Sequence, residues 1–265
     1  LRVAPCGESV EATARAAVAD GFATVAAAGG DGTICAVASA VLGSGARLGV
    51  LPLGTFNYFA RSLELPQDRT ELLRVLVEGA SRRVDVGVVN GRVFLNNASL
   101  GLYPTILRRR EQVYGRWGRS RLAAHWSLIS TILDFRRPLR LRVSVDGEVR
   151  RVRTPLLFVA SNPRQLEEIG VAGAEGMAEG AFAVFIAPDC AGWRLLVYVA
   201  RLAARRMTPG RDFELLHGVE IVAETERRRL PVARDGEREL LEAPFRFELL
   251  KDALDVAAPA AGGSA

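Results

Sequence analysis

Residues 23–66 read ATVAAAGGDGTICAVASAVLGSGARLGVLPLGTFNYFARSLELP, and this stretch decides the fold. It contains two short apolar runs, Ala23–Ala28 and Leu48–Leu53, which each end in a glycine-containing turn. Between them, residues 34–42 carry a helical pattern. A strand, a turn, a helix and a second strand in this order predict an α/β unit with parallel strands.

Both turns, residues 29–33 (GGDGT) and residues 54–57 (GTFN), are suited to binding phosphate. Glycine lets a ligand approach the main chain closely, and a helix that follows points its free N–H groups at the turn. Asp31 would repel a bare phosphate, so a divalent cation between the two would resolve the conflict. The alternative is a tight β–α turn in which Asp31 is only the helix N-cap. Two such turns about twenty residues apart favour the nucleotide site.

Composition excludes several classes of enzyme. Of the 35 basic residues, only Lys251 is a lysine, so no glycine-rich loop carries the lysine of a Walker A site or of a protein kinase. His125 and His217 stand in unrelated contexts, which argues against a Ser-His-Asp triad or a histidine zinc site. The net charge of +5 is modest, and acidic residues nearly balance the scattered arginines, so we expect no nucleic-acid binding.

The rest of the chain divides into an α/β part and a strand-rich part. Helical patterns at Glu8–Asp20 and Asp68–Glu78 flank the strands of the first part, whereas a strand at Leu1–Pro5 would precede them. We predict an open, mostly parallel α/β domain over 1–88, a β-rich domain over 89–256 whose end returns to the first domain, and a frayed tail at 257–265. The strands predicted for the second part include 92–98, 139–145, 149–159, 182–187, 219–223, 230–234 and 245–249, and helices are predicted at 120–135 and 193–206.

The two glycine turns resemble those of the diacylglycerol kinase catalytic family, which includes bacterial lipid kinases and the sphingosine and ceramide kinases. The PLGTFNYFARSLELP element, residues 52–66, is the more discriminating one, because NAD kinases and phosphofructokinases share the GGDG turn. FLNNASLG at 94–101 also resembles a family motif. The resemblance implies a nucleotide-binding α/β domain, a β-rich second domain and an active site in the cleft between them.

The resemblance also implies roles for individual residues. Asp31, together with Asp85 through water, would hold Mg²⁺, and Glu237 of the Asp-Gly-Glu element at 235–237 would be the general base. The same tripeptide occurs at 146–148, and either could be a plain hairpin turn; we favour the later one because it follows the last predicted helix. The residues expected to bind ATP are Gly29, Gly30, Asp31, Gly32, Thr33, Gly54, Thr55 and Asn57.

Three departures from the family pattern stand out. Tyr58 replaces an aspartate that many bacterial members carry after the asparagine of the second motif. Glu179 stands where one bacterial branch has the aspartate of a structural Mg²⁺ site, so we expect Glu179 to bind that metal. The family's opening strand and its Asn-Pro-x-Ser-Gly-like turn do not occur in this sequence, and we expect that strand to be missing.

The sequence therefore predicts an ATP- and Mg²⁺-dependent lipid kinase that acts on a diacylglycerol or a sphingoid-like alcohol. We expect a cytoplasmic protein that associates peripherally with a membrane surface and that could form a homo-oligomer. The basic, aromatic segment from Arg108 to Trp117 would either meet lipid headgroups or form a solvated face. An NAD kinase-like enzyme and a non-catalytic nucleotide or lipid sensor are the alternatives.

Overall fold

The computed structural model describes residues 9–117, 129–135 and 138–259. The helices are α1 (Val10–Ala19), α2 (Asp31–Val41), α3 (Tyr58–Ser62), α4 (Arg69–Glu78), α5 (Leu102–Trp117), α6 (Pro163–Ile169) and α7 (Gly192–Ala203). The strands are β1 (Thr24–Gly29), β2 (Arg47–Pro52), β3 (Ala80–Val89), β4 (Arg92–Phe94), β5 (Asn97–Gly101), β6 (Leu139–Val145), β7 (Glu148–Thr154), β8 (Leu156–Ala160), β9 (Phe182–Ile186), β10 (Glu214–Gly218), β11 (Glu220–Glu224), β12 (Arg229–Arg234), β13 (Glu237–Glu242) and β14 (Phe245–Ala258). Residues 129–134 are also helical.

The strands form one mixed sheet and one antiparallel sheet. In the mixed sheet the order is β1-β2-β14-β11-β6-β7, and β3 lies between β14 and β4. β1 and β2 are parallel, as the first strand-helix-strand unit predicted. The antiparallel sheet has the order β10-β9-β8-β5-β12-β13. An α/β part joined to a β-rich part confirms the predicted fold class.

The last strand, β14, links the two parts of the molecule. Its end runs parallel to β2, where Val256 lies opposite Leu48, and its beginning runs antiparallel to β11. β3 accompanies β14 along its other side in both halves. The chain therefore returns to the α/β part after building the second sheet, while the boundary at residue 88 stays a prediction.

Of the four apolar clusters among the described residues, the two largest hold these layers. The first packs α1 and α2 against β1 and β2, and includes the fully buried Ile34 and Leu48. The second fills the space between the two sheets with stacked and edge-on rings of Phe94, Phe182 and Phe247. Burying aromatic side chains of this size dominates core energetics, so this cluster fixes how the sheets pack.

Several predicted elements differ from those observed. The single strand predicted at 149–159 is two strands, β7 and β8, in different sheets, because Pro155 lacks the N–H that would continue the ladder. The strand predicted at 92–98 also divides, into β4 and β5. The predicted strand Leu1–Pro5 lies outside the described residues, as does most of the helix predicted at 120–135. Within the described part of the chain, no helix is long and apolar enough to cross a bilayer.

Candidate functional site

The two glycine turns touch each other at the carboxyl edge of β1 and β2. Gly29 and Pro52 pair as the last residues of the two strands. Beyond them, the Cα atom of Gly30 lies only 2.4 Å from the position that a Cβ atom on Gly54 would take. No larger residue fits at Gly54 without moving the first turn. The structure therefore brings the two predicted phosphate-binding turns into one site.

The second turn is held by an asparagine side chain. Asn57 has a left-handed backbone, with φ of 52°. Its Oδ1 accepts the backbone N–H of Gly54 at 3.0 Å, and its Nδ2 donates to the Gly54 carbonyl at 2.8 Å. Asparagine tolerates this conformation better than most residues and here closes the loop on itself. Its side chain is thus occupied in shaping the turn, and the neighbouring Thr55 stays exposed at the surface.

Asp31 is the first residue of α2 rather than its cap. Gly30 occupies the N-cap position and makes no side-chain capping bond, which removes the alternative of Asp31 as a simple N-cap. Oδ1 of Asp31 accepts the backbone N–H of Phe59 at 3.3 Å and the side-chain amide of Asn96 at 3.2 Å. Within residues 9–117, 129–135 and 138–259, Oδ2 has no hydrogen-bond partner. One carboxylate oxygen is therefore oriented by the protein and the other is left available.

Glu237 reaches the first turn from the second part of the molecule. It follows the hairpin of Asp235 and Gly236, whose φ angles of 46° and 86° are those of a two-residue Asp-Gly turn. Its Oε1 lies 2.7 Å from the position of a Cβ atom on Gly32. The carboxylate is exposed, and among the described residues it makes no hydrogen bond or ion pair. Glu237 thus contacts Gly32, the second residue of α2, although about two hundred residues separate the two in sequence.

Asp235 anchors that hairpin. Its carboxylate accepts three consecutive backbone N–H groups, those of Leu95 at 2.7 Å, Asn96 at 2.8 Å and Asn97 at 3.1 Å. Burial raises the pKa of the Asp235 carboxyl group, and the three N–H donors act in the opposite direction. The Asp-Gly-Glu element therefore combines a hairpin turn, a buried anchor and an exposed carboxylate.

A chain of amides leads from Asp31 into the second part, and sequence reasoning missed most of it. Asn162 donates its Nδ2 to Oδ1 of Asn96 at 2.8 Å, and its own Oδ1 accepts the Arg164 N–H at the start of α6. The sequence signal for the start of α6 is the tripeptide Ser-Asn-Pro before Arg164, since asparagine followed by proline is a typical helix start. This signal does not indicate the contact with Asn96. The buried Asn162 thus fixes both α6 and the amide that holds Asp31.

Tyr58 lies beside the same carboxylate. Its ring stacks on Phe56 with centroids 5.5 Å apart and an interplanar angle of 9°. Burial raises the pKa of the Tyr58 hydroxyl, and the negative charges of Glu168 and Asp31 raise it further. Glu168 itself pairs with Arg61 of α3 at 2.8 Å, which ties α3 to α6. Tyr58 therefore places an aromatic hydroxyl beside Asp31, at the position where the family pattern has an aspartate.

Asp85 and Glu179 lie in a second cluster. Oδ1 of Asp85 accepts the Asp252 N–H at 2.9 Å, and within the described chain no hydrogen bond joins Asp85 to Asp31. The Glu179 side chain is exposed, and only its carbonyl oxygen is engaged, by the Lys251 ammonium at 3.3 Å. The roles predicted for these two residues stay predictions.

The free Oδ2 of Asp31 fits the metal that accompanies ATP. Mg²⁺ is commonly held by one or two carboxylates, with phosphates and water completing its shell. Within the described ranges, no group of three or more His, Cys, Asp or Glu side chains could hold a metal ion by itself.

Comparisons with known proteins show similarity to lipid kinases over about a third of the chain. Residues 3–89 match the family model of the diacylglycerol kinase catalytic domain. A stretch of 87 residues is 48% identical to the "Probable lipid kinase YegS-like" of Pseudomonas aeruginosa (strain UCBPP-PA14), over 32% of this chain and 28% of that protein. A stretch of 90 residues is 41% identical to a diacylglycerol kinase of Staphylococcus aureus (strain JH9), over 33% of this chain and 29% of that protein.

The fold similarity extends over nearly the whole chain. A crystal structure of a diacylglycerol kinase from Bacillus anthracis str. Sterne superposes with a TM-score of 0.64, covering 98% of this chain and 85% of that one at 19% sequence identity. At this identity the superposition shows the fold alone. The sequence matches to these curated relatives cover less than a third of their length. The residues matched by the family model, 3–89, include both glycine turns but not Glu237.

Proposed function

We propose that this chain, a member of the diacylglycerol kinase catalytic-domain family over residues 3–89, transfers the γ-phosphate of ATP to a lipid hydroxyl group. The observation that carries the proposal is the contact between Glu237 and Gly32. It puts an exposed, unpaired carboxylate at the turn where phosphates would bind. Phosphoryl transfer to an alcohol needs both features in one place.

Backbone and side-chain groups of this chain would have separate roles in the phosphoryl transfer. The backbone N–H groups at the start of α2 and the turn at Gly54 bind and orient the phosphates. Asp31 would hold the Mg²⁺ of MgATP through its free Oδ2, and that ion would neutralise charge on the transferring group. Glu237 accepts the proton of the acceptor hydroxyl as the oxygen attacks phosphorus, so that the proton moves to Oε1 and ADP leaves.

The acceptor class rests on family likeness and on a groove beside the site. The groove has a volume of about 580 Å³ and adjoins Asn57 of the second turn. Apolar side chains line much of it, among them Leu53, which follows β2, and Leu72 and Leu73 of α4. Leu53 and Leu73 are more than half exposed, at 72% and 54%. An apolar groove next to the phosphate turns suits a lipid acceptor better than a dinucleotide, and it implies docking at a membrane surface.

A lipid phosphorylation assay tests the proposal. The chain would be offered labelled ATP, Mg²⁺ and a panel of diacylglycerols and sphingoid bases in mixed micelles, with NAD as the rival acceptor. Substitution of Glu237→Gln should lower kcat by roughly 10²–10⁴-fold with little change in KM for ATP. The matched control is Glu148→Gln, since Glu148 follows the other Asp-Gly hairpin and is 79% exposed.

The outcomes separate the candidate functions. Lipid phosphorylation that Glu148→Gln preserves and Glu237→Gln abolishes supports the kinase and identifies its acceptor class. Phosphorylation of NAD alone would instead support the NAD kinase-like alternative. ATP binding without transfer to any acceptor would favour a sensor. Equal activity of Glu237→Gln and the parent chain would refute the role of Glu237 as base.

A further inference from the structure

Helix α7 carries apolar side chains on its outer face as well as on its inner face. On the inner face, Leu195 is buried in an apolar cluster. On the outer face, Trp193 is 60% exposed and Val197 is 42% exposed. Residues three or four apart lie on one side of a helix, so these two side chains form a stripe that the exposed Ala200 continues. This stripe is apolar although it faces solvent.

The helical residues 129–134 extend this surface. A Cβ atom on Gly192, the first residue of α7, would lie 2.9 Å from the carbonyl oxygen of Ile132 and 3.6 Å from the Cα atom of Leu133. Leu133 and Ile129, one helical turn apart, are both exposed. Two adjoining helical segments therefore expose apolar side chains around Gly192, and we call Ile129, Leu133, Trp193 and Val197 the apolar face.

Arginines accompany the apolar face. Residues 190–211, CAGWRLLVYVARLAARRMTPGR, contain five arginines and no aspartate or glutamate. The guanidinium group of Arg194 lies over the ring of Trp193, 5.4 Å from its centroid. Arg205 and Arg206 are exposed just beyond the end of α7. A helix of this composition, apolar with flanking basic residues, is typical of one that binds at a membrane surface.

The acidic residues that border these segments in sequence already have arginine partners. Asp134 pairs with Arg109 at 3.1 Å, and Asp189 pairs with Arg153 at 3.0 Å. Asp212 is buried and makes its own two arginine pairs. The charge next to the apolar face is therefore positive, which suits a negatively charged partner.

The end of α7 lies beside the groove proposed for the acceptor. Arg61 lines that groove and pairs with the Glu168 carboxylate of α6 at 2.8 Å. Nη2 of Arg205 donates to the carbonyl oxygen of Glu168 at 2.7 Å. Arg205 lies two residues beyond α7, so Glu168 contacts both the wall of the groove and the segment that ends the helix.

We propose that the apolar face docks this protein on an anionic lipid bilayer, with α7 lying along the membrane surface. Tryptophan is enriched at the depth where headgroups meet acyl chains, so Trp193 would enter the interface. Arg194, Arg205 and Arg206 would then meet the lipid phosphates. The inference rests on the proposed function, because a lipid acceptor gives the protein a reason to dock, and it names the surface that does so.

Vesicle co-sedimentation without ATP tests the docking face apart from any catalysis. The parent chain should bind vesicles of phosphatidylcholine mixed with phosphatidylglycerol, bind pure phosphatidylcholine more weakly, and lose affinity as salt is added. Trp193→Ala should weaken binding to the anionic vesicles roughly tenfold, because a large apolar side chain no longer leaves water. Arg194→Gln should weaken it about fivefold, the loss expected for one basic residue near an anionic surface.

Phe22→Ala is the matched control, because Phe22 is an aromatic residue that is also about half exposed. It precedes β1, whereas the glycine turns follow that strand, so its loss should leave vesicle binding as in the parent. With a short-chain acceptor dissolved as monomers, Trp193→Ala should be as active as the parent. With a long-chain acceptor in vesicles, it should be slower.

Each outcome decides for or against the docking face. A parent chain that ignores anionic vesicles, or equal vesicle binding by Trp193→Ala and Phe22→Ala, would overturn it. A dimer in sedimentation velocity that Trp193→Ala dissociates, without vesicle binding, would make the face a contact between two copies and overturn it as well. Vesicle binding that depends on Trp193 without phosphorylation of any lipid would support the docking face and refute the kinase. Arg194→Gln decides if Trp193→Ala does not fold.

Discussion

Asp235 accepts the backbone N–H of Asn96 at 2.8 Å, while the side chain of Asn96 donates to Asp31. Asn96 therefore contacts both the Asp-Gly-Glu hairpin and the Asp31 carboxylate, and couples their positions. The hairpin also carries Glu237, so the positions of Asp31 and Glu237, the two residues with proposed chemical roles, both depend on Asp235. The site is therefore rigid only while the Asp235 carboxylate holds its three backbone donors.

Substituting Asp235→Asn should damage both stability and activity. A neutral amide has only one oxygen to offer to three N–H groups, and its own NH₂ group would face those donors. We expect the free energy of unfolding to fall by about 1–3 kcal/mol, the cost of leaving buried polar groups unsatisfied, and kcat to fall with it. Chemical denaturation and the lipid kinase assay measure the two effects.

Asp146→Asn is the control for that substitution. Asp146 starts the other Asp-Gly hairpin and accepts the backbone N–H groups of Val219 and Glu220. Because Asp146 is exposed, this substitution should cost less stability, and kcat per folded molecule should stay unchanged. If both variants lower kcat equally, the link from Asp235 to the site has no functional meaning.

Gly32→Ala tests the contact that carries the proposed function. The new methyl group would lie 2.7 Å from Oε1 of Glu237, too close for any real Cβ contact, so the carboxylate would have to move. We expect kcat to fall at least tenfold, because a displaced base loses its alignment with the acceptor proton. Steady-state kinetics with ATP and lipid varied separately measures this effect.

A double-mutant cycle separates displacement of Glu237 from damage to phosphate binding. In a Glu237→Ala background, Gly32→Ala should lower kcat by much less than it does alone, since no carboxylate remains to be displaced. Full additivity of the two effects would show that the methyl group acts on the phosphates and not on Glu237.

The two glycine turns of the site could be predicted from local sequence, whereas the contacts made by the second part of the molecule could not. Glycine turns after apolar runs are local signals, so the turns at Gly30 and Gly54 could be predicted with their neighbours. Asn162 could not, because its role depends on a side-chain contact with Asn96 across 66 residues. The shift in register between Leu250 and Leu254 of β14 could not either, since it exists only once β14 has paired with β3.

The same limit explains the strand errors. Residues 149–159, VRRVRTPLLFV, carry β-branched or apolar residues on both sides of Pro155 and therefore predict one strand. Pro155 interrupts the ladder, and the packing of two sheets then places β7 and β8 in different layers, which the local pattern does not show. β14 extends nine residues beyond the end predicted for it, because pairing with β3 outweighs the polar residues Lys251 and Asp252.

Asn162→Asp should make the position of the Asp31 side chain less well fixed while α6 stays folded. Aspartate keeps the oxygen that caps the Arg164 N–H but loses the amide that donates to Asn96. We expect KM for MgATP to rise and kcat to fall several-fold, because Asn96 is then free to turn away from Asp31. Asn162→Ser, which keeps a cap and removes the negative charge, should give the same kinetic change.

The readout for this positioning role is the Mg²⁺ dependence of the rate. A chain in which Asp31 is loosely held should need more Mg²⁺ for half-maximal activity, whereas its Tm should drop only slightly. If the Mg²⁺ requirement is unchanged in both variants, Asn162 stabilises α6 and has no influence on Asp31.

We expect Asp212 to make the stability of the fold depend on pH in the acid range. This carboxylate is only 1% exposed and pairs with Arg201 and Arg211, and it accepts the Thr208 N–H at 3.0 Å. The Arg211 guanidinium is the main cause that lowers the pKa of Asp212 from 3.8 to about 2, against the effect of burial. The native state therefore holds the proton of the Asp212 carboxyl group less tightly than the unfolded chain does. The interactions of Asp212 with Arg201 and Arg211 stabilise the fold fully above pH 3.8, and this contribution is lost as the pH falls toward 2.

Urea unfolding between neutral pH and pH 2 checks this expectation. The parent chain should lose stability through that acid window, and Asp212→Asn should be less stable at neutral pH by about 1–3 kcal/mol, the usual range for hydrogen bonds to a charged group. The variant should also show a shallower decline below pH 4, because it has no proton to take up there. Asp134→Asn is the comparison, since Asp134 pairs with Arg109 but is 66% exposed. Parallel pH profiles for Asp212→Asn and the parent would mean that other carboxylates cause the acid sensitivity.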